Sequence, residues 1–206
     1  FYTDFTFKRQ NNLWVSKAIP KLGILRDSTN MLICAEDLGQ QTEDILEAIK
    51  AAGLLSLRVQ RMSKDPKKDF DEPNTFTYMS VCCPSTHDCS SLRGWWEENR
   101  TVIDDFWHRQ LLRQDGCWQT CEWWISEMIL KQHLYSQSMW CIFLLQDITG
   151  IIDDLRLQAP QEEQINIPSN PAHHWGYRYP YTIEQLIQHP HLTEHVHTLL
   201  TESHRL

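Results

Sequence analysis

Apolar residues along this chain recur with two alternating periods. Over residues 13–25, Leu13, Ala18, Leu22 and Leu25 fall mostly on one side of a helix. Residues 31–35, Met-Leu-Ile-Cys-Ala, make a short unbroken apolar run, as expected of a strand buried on both faces. Thr42 is placed to cap the next helix, Ile45, Leu46, Ile49 and Ala52 supply its stripe, and Gly53 its stop. Residues 55–59 read as a second strand and residues 78–83 as a third, separated by a polar, proline-containing loop at 65–74. Helices are expected over 91–99, 102–112 and 121–135, then a fourth strand at 139–145 and a long irregular loop at 158–171. Two helices, 182–188 and 192–202, close the chain.

Strands alternating with helices imply crossover connections, and hence an α/β fold with a parallel sheet. Four such strands fit either a small open sheet or half of an eight-stranded barrel, and the pattern does not separate the two. Polar residues follow each strand: Glu36-Asp37, Arg58 to Arg61, His87-Asp88 and Gln146-Asp147. In a βα barrel, that C-terminal end of the strands carries the active site.

Composition narrows the functional classes. A formal charge of −8 over 206 residues argues against a nucleic-acid partner, because binding would release no counterions. Lys64, Lys67 and Lys68 are diluted by Asp65, Asp69 and Asp71 and read as a solvated loop. Nine tryptophans serve packing first, although flat indole faces also stack on sugars. The pairs Trp95-Trp96 and Trp123-Trp124 must each split across two helix faces. Seven cysteines without a CxxC pair fit neither a zinc ribbon nor a disulfide framework, so reduced thiols and a cytoplasmic location are expected. Cys34, Cys82, Cys83 and Cys141 sit in the strand-like runs. No apolar run reaches membrane-spanning length and no signal peptide is evident, so no membrane partner is expected. The first residue is Phe1 rather than Met, which leads us to expect an upstream segment.

Glu36 and Asp88 are the carboxylates to weigh for chemistry. Retaining cleavage of a glycosidic bond needs two carboxyl groups about 5 Å apart, one as nucleophile and one as acid and then base. A further carboxylate can hold sugar hydroxyls as the oxocarbenium ion forms. Acids after strands also serve simply to start helices, and for Glu36 and Asp88 the residues alone leave both roles open.

At these residues the sequence resembles a known family. Cys34-Ala35-Glu36-Asp37-Leu38-Gly39, the run 54–61, and Ser80 to Asp88 followed by Leu92-Arg93-Gly94-Trp95-Trp96-Glu97-Glu98 are similar to motifs of the amylomaltases and disproportionating enzymes. Those are the 4-α-glucanotransferases of glycoside hydrolase family 77. The runs 138–147 and 165–178 fit as well, so the resemblance covers nearly the whole chain. It is closest to the branch that holds plant cytosolic enzymes and their bacterial relatives. It implies that residues 1–206 are the C-terminal part of a catalytic (β/α)8 barrel domain whose upstream half is absent. The implied activity is retaining transfer of α-1,4-glucan segments between maltooligosaccharides, with maltose or glucose as acceptor and no cofactor or metal. Glu36 is the implied general acid/base and Asp88 the transition-state carboxylate. His87, Arg58, Asn166, Trp175 and Arg178 are implied to support substrate. The family nucleophile is an aspartate on an earlier strand. Nothing before Glu36 resembles that segment, and Asp4 and Asp27 lie in unsuitable contexts. The isolated chain is therefore expected to be inactive.

Three other readings compete. His173-His174 and the cluster His189, His191, His195 and His197 offer metal ligands, but without an HExxH arrangement they read as exposed histidines. A non-catalytic α-glucan-binding fragment would use the tryptophans yet leave Glu36 and Asp88 unexplained. A Cys89 nucleophile beside His87 is disfavoured, since such pairs form across elements rather than between near neighbours.

Overall fold

The computed structural model describes residues 10–38 and 43–206. Gly39, the expected cap Thr42, and Asp4 lie outside the described residues. Helix α1 (Asn11–Asp27) leads to strand β1 (Cys34–Ala35), helix α2 (Glu43–Ala51) and strand β2 (Leu55–Val59). Strand β3 (Ser80–Cys83) is followed by helices α3 (Leu92–Glu98), α4 (Arg100–Arg109) and α5 (Trp123–Leu134), then strand β4 (Trp140–Cys141). Helices α6 (Leu145–Thr149), α7 (Ile183–Gln188) and α8 (Leu192–Glu202) complete the order, with short 3-10 turns at Pro73–Thr75, Asp153–Leu155 and Pro160–Glu163. The four strands form one sheet in the order β1-β2-β3-β4, and every neighbouring pair is parallel. The α/β class expected from the alternation is the one observed.

The sheet is firm at its centre and thin at its margins. β2 and β3 pair from Ser56↔Ser80 to Val59↔Cys83, whereas β1 and β4 each pair over two residues. The fully buried strand expected at 31–35 is therefore corrected. Met31 and Leu32 are exposed and only Cys34–Ala35 is strand, with Cys34 itself exposed. The expected strand 139–145 likewise shrinks to Trp140–Cys141, with Trp140 and Ile142 exposed and a helix starting at Leu145. The two share a feature: among the described residues, each pairs with one strand, over two residues only. An apolar run records the residues' preference for burial but not how many neighbours they meet.

Helix α1 contributes a half-buried stripe of Val15, Ala18 and Leu22 that faces Ile45, Ala48 and Ile49 of α2, while Leu13 and Leu25, expected on that stripe, are exposed. The Arg26 guanidinium donates to the Ala52 carbonyl at 2.9 Å and joins the two helix ends. Gly53 stops α2 as expected. Its φ is +71°, its N–H reaches the Lys50 carbonyl at 3.0 Å, and the Leu54 N–H reaches that of Ile49 at 3.1 Å. This is the Schellman pattern, which closes two of the carbonyls a helix end leaves open.

The main core is aromatic. Trp96, Phe106 and Trp107 are fully buried, and Phe106 meets Trp95 and Phe70 edge-on at 5.0 Å each. Edge-to-face pairs add roughly 0.5–1.5 kcal/mol each beyond area burial. The buried indoles also satisfy their N–H groups, Trp96 on the Trp118 carbonyl at 3.0 Å and Trp107 on that of Asp115 at 2.8 Å. Packing thus accounts for Trp95, Trp96, Trp107 and Trp124, while Trp14, Trp118, Trp123, Trp140 and Trp175 are exposed. The adjacent pairs split as helix geometry requires: Trp96 is buried and Trp95 half-buried, Trp124 half-buried and Trp123 exposed.

Two buried polar side chains on helices brace the fold from inside. Asp147, fully buried, accepts the Leu92 N–H at 2.9 Å and so caps the start of α3. Burial pushes its carboxyl up to about 6, against the pull of that N–H and of the Arg61 charge. His133, also fully buried, is bonded to the Ile129 carbonyl at 2.8 Å, and burial drives it down to about 4.

Two outcomes follow from these features. A Cβ at position 53 meets only ordinary contact with Arg26, so Gly53→Ala should cost the left-handed backbone strain alone, about 1–2 kcal/mol, read from the denaturant midpoint. Asp147 and His133 have opposite pH signatures. Because the folded pKa of Asp147 is raised from 3.8 to about 6, its contribution is intact below pH 4 and is lost as pH rises through 6. His133, lowered from 6.5 to about 4, makes its contribution above pH 6.5 and loses it as pH falls through 4. Thermal melts of Asp147→Asn and the parent sequence from pH 4 to 7 should therefore diverge in the variant's favour as pH rises. The span should be on the order of 2–3 kcal/mol.

Candidate active site

Because all four strands are parallel, the segments that follow them emerge at one end of the sheet. Glu36 and Asp37 follow β1 directly. Glu36 is exposed, whereas Asp37 is 3% exposed. The Asp37 carboxylate accepts the Leu57 N–H at 2.8 Å and the Ser56 hydroxyl at 2.7 Å, and pairs with the Lys64 ammonium. Lys64, expected in a solvated loop, is in fact buried there, while Lys67 and Lys68 are exposed. Burial lowers the Lys64 pKa from its ordinary value, and the Asp37 carboxylate opposes that. Only the fold brings in this lysine, because a lysine flanked by acids and prolines in a loop carries no sequence signal of burial.

Arg58 lies half-buried on β2, its guanidinium 3.8 Å from Asp71, whose carboxylate also accepts the Ser63 hydroxyl at 2.7 Å. Arg61, just beyond β2, holds the loop that follows β3. It donates to Ser85 Oγ at 3.1 Å, to Ser90 Oγ at 3.2 Å and to the Cys89 sulfur at 2.9 Å, with its charge 5.4 Å above the Trp95 ring. The Cys89 sulfur also accepts the Thr86 N–H at 3.2 Å, so this thiol serves to shape the loop.

On that loop His87 and Asp88 are exposed, with His87 Nε2 3.4 Å from Asp88 Oδ2. Two residues from the late loop join them. Asn166 Nδ2 donates to Asp88 Oδ1 at 2.7 Å, and the exposed Trp175 ring lies 5.2 Å from the His87 ring. A contact spanning 78 residues thus assembles His87, Asp88, Asn166 and Trp175 into one group. Arg178, exposed and bonded to the Tyr177 carbonyl at 2.9 Å, has no described contact with it.

The late loop is anchored by a buried network that the sequence reading missed. Glu163 accepts the Ser91 hydroxyl at 2.8 Å and pairs with Arg93, which also donates to the Leu157 carbonyl at 2.8 Å. Gln146 donates to the Glu163 carbonyl at 3.1 Å. Burial raises the Glu163 pKa, and the Arg93 charge counters it. Arg93 and Gln146 lie inside the resembling motifs, and Gln146 was also marked as a polar residue following the fourth expected strand.

The histidine cluster is dispersed among other partners. His195 faces Glu127 at 3.1 Å and His189 faces Asp154 at 3.2 Å, while His173 bonds the Ile165 carbonyl at 3.0 Å. All seven cysteines are free thiols. No helix among the described residues is long and apolar enough to cross a membrane.

Comparison with known proteins gives the family and the fold. The family model described as 4-alpha-glucanotransferase matches residues 2–184. The rice (Oryza sativa subsp. japonica) 4-alpha-glucanotransferase DPE2 is 38% identical over 99% of this chain and 22% of its own length. A 4-alpha-glucanotransferase of Chlamydia muridarum is 30% identical over 83% of this chain and 32% of its own. Among solved structures, an amylomaltase from Streptococcus agalactiae in complex with acarbose matches with a TM-score of 0.63 and 18% identity, over 89% of this chain and 34% of that one. At that identity the match speaks for the fold alone. The chain thus spans between about a fifth and a third of the length of these relatives. Since the family match takes in all four strands and the late loop through Arg178, the chain belongs to the 4-alpha-glucanotransferase family.

Proposed function

We propose that the protein carrying this chain transfers α-1,4-glucan segments between maltooligosaccharides, with maltose or glucose among the acceptors, by a retaining double displacement. The observation that carries this reading is the placement of exposed Glu36 and the Asp88 group after parallel strands of one sheet, in a chain of this family. Glu36 is the general acid that protonates the leaving oxygen and then the base that takes the acceptor's proton. Asp88, steadied by Asn166 and His87, holds sugar hydroxyls as positive charge develops at the anomeric carbon. Trp175 offers an exposed ring beside His87 on which a sugar face can stack. Arg58 acts through Asp71 and the strand-end charges, and Arg178 through an extended glucan. This reading assigns no described residue as the nucleophile. The strand order favours residues 1–206 as the C-terminal part of a (β/α)8 barrel, because it runs 1-2-3-4 without the reversal of a doubly wound sheet. Seven free thiols favour a reducing, cytoplasmic compartment.

In the full-length protein, Glu36→Gln keeps the shape but removes the titrating group. Transfer from maltooligosaccharides should fall by about two to four orders of magnitude with oligosaccharide binding retained. A donor whose leaving group needs no proton should restore the first step only, so glycosyl-enzyme should accumulate and be visible by mass spectrometry. Asp88→Asn should slow both steps and gain nothing from that donor. Wild-type turnover by Glu36→Gln would remove Glu36 from the mechanism.

A further inference from the structure

β1 is two residues long and its last residue paired with β2 is Ala35, so Glu36 lies just past the ladder that joins these two strands. On β2, the Leu55 N–H reaches the Ile33 carbonyl at 2.9 Å. The next N–H on that side, Leu57, is taken instead by the Asp37 carboxylate at 2.8 Å. Pairing of β1 with β2 therefore continues through a side chain just beyond Glu36. The other Asp37 oxygen accepts the Ser56 hydroxyl at 2.7 Å and the Lys64 ammonium, and Lys64 closes the ring by donating to Ser56 Oγ at 2.7 Å. Both side chains of the ion pair are at least nine-tenths buried, at 2% and 6% exposure. Asp37 is buried in this ring while the adjacent Glu36 is exposed, so anchoring Asp37 fixes the backbone from which the Glu36 carboxyl leaves the chain.

We propose that Asp37 and Lys64 are a positioning pair for glucan transfer, whose buried bridge onto β2 sets the direction of the Glu36 carboxyl. This rests on the reading of Glu36 as the acid/base. Neither residue touches the sugar; both act through Glu36. A purely apolar tie would hold the strands together equally well but would not fix the chain direction at residue 37, because apolar contact has no preferred angle.

The test uses the full-length protein with Lys64→Met, Asp37→Asn, and the double variant Asp37→Asn/Lys64→Met, which leaves no buried charge unpaired and so guards against misfolding. A misdirected Glu36 should lower kcat for maltooligosaccharides by up to about 100-fold with KM within about two-fold. A donor whose leaving group needs no protonation should recover most of the first step. A merely structural role predicts equal losses with both donors, tracking the melting temperature. The proposal is overturned if the double variant, folded, keeps wild-type kcat, or if its loss is the same for both donors. Glu36→Gln assayed alongside separates the two claims. If Glu36→Gln is inactive and the double variant is normal, only the positioning role falls. If Glu36→Gln is fully active, the acid/base reading falls and the pair has nothing to position.

Discussion

The parallel pairing of β2 with β3, four residues against four, is the constraint on which the other parts depend. It is the one part of the sheet with strand neighbours on both sides, and Leu55, Val59, Cys82 and Cys83 are buried in it. β1 and β4 are held by two residue pairs each, too few for backbone hydrogen bonds to fix their direction. Side chains complete each edge. At β1 it is the Asp37, Ser56 and Lys64 ring. At β4, Arg205 from beyond the last helix donates to the Ser136 carbonyl at 2.7 Å and the Ser138 carbonyl at 3.0 Å, tying down the turn that enters the strand.

Charges are handled by the same economy. The segments beyond the strands carry many ionisable groups, and these divide into a buried set and an exposed set. Asp37, Asp147 and Glu163 are buried, and each is met by N–H groups, hydroxyls or a cation. Such pairs add little net stability over apolar packing, since desolvation offsets the Coulomb gain. What they contribute is direction: they set where the loops leave the sheet. The exposed set comprises Glu36, His87 and Asp88.

The late loop shows how distant segments converge on the candidate site. Asn166 bonds Asp88 across 78 residues, and it does so because Glu163 is gripped by Ser91 and Arg93 at the start of α3. The loop that bears Asp88 is held in turn by Arg61 from the end of β2. One side of the candidate site is thus built by cross-braces between β2, the loop after β3, α3 and the late loop, with no regular element beneath Asp88 itself.

Much of this was written in the chain. Apolar period and the stop at Gly53 gave most helices and the limits of β2 to within about three residues, because those signals are local; the short helix Leu145–Thr149 was not among them. The motifs around Glu36 and His87-Asp88 were legible as strand-end polar groups, and the resemblance gave them roles. Three things were not legible. The lengths of β1 and β4, and the exposure of Cys34, depend on whether a neighbouring strand is present, which an apolar run does not encode. Burial of Lys64 depends on meeting Asp37, 27 residues away. Convergence of Asn166 and Trp175 on His87-Asp88 depends on contacts between remote segments. The sequence by itself determined which residues prefer water or core, and where helices begin and end, since those follow from each residue and its near neighbours. Only the tertiary structure decided which carboxylates turn inward as braces and which stay exposed. That choice is set by partners far along the chain, whose proximity exists only once the sheet has formed.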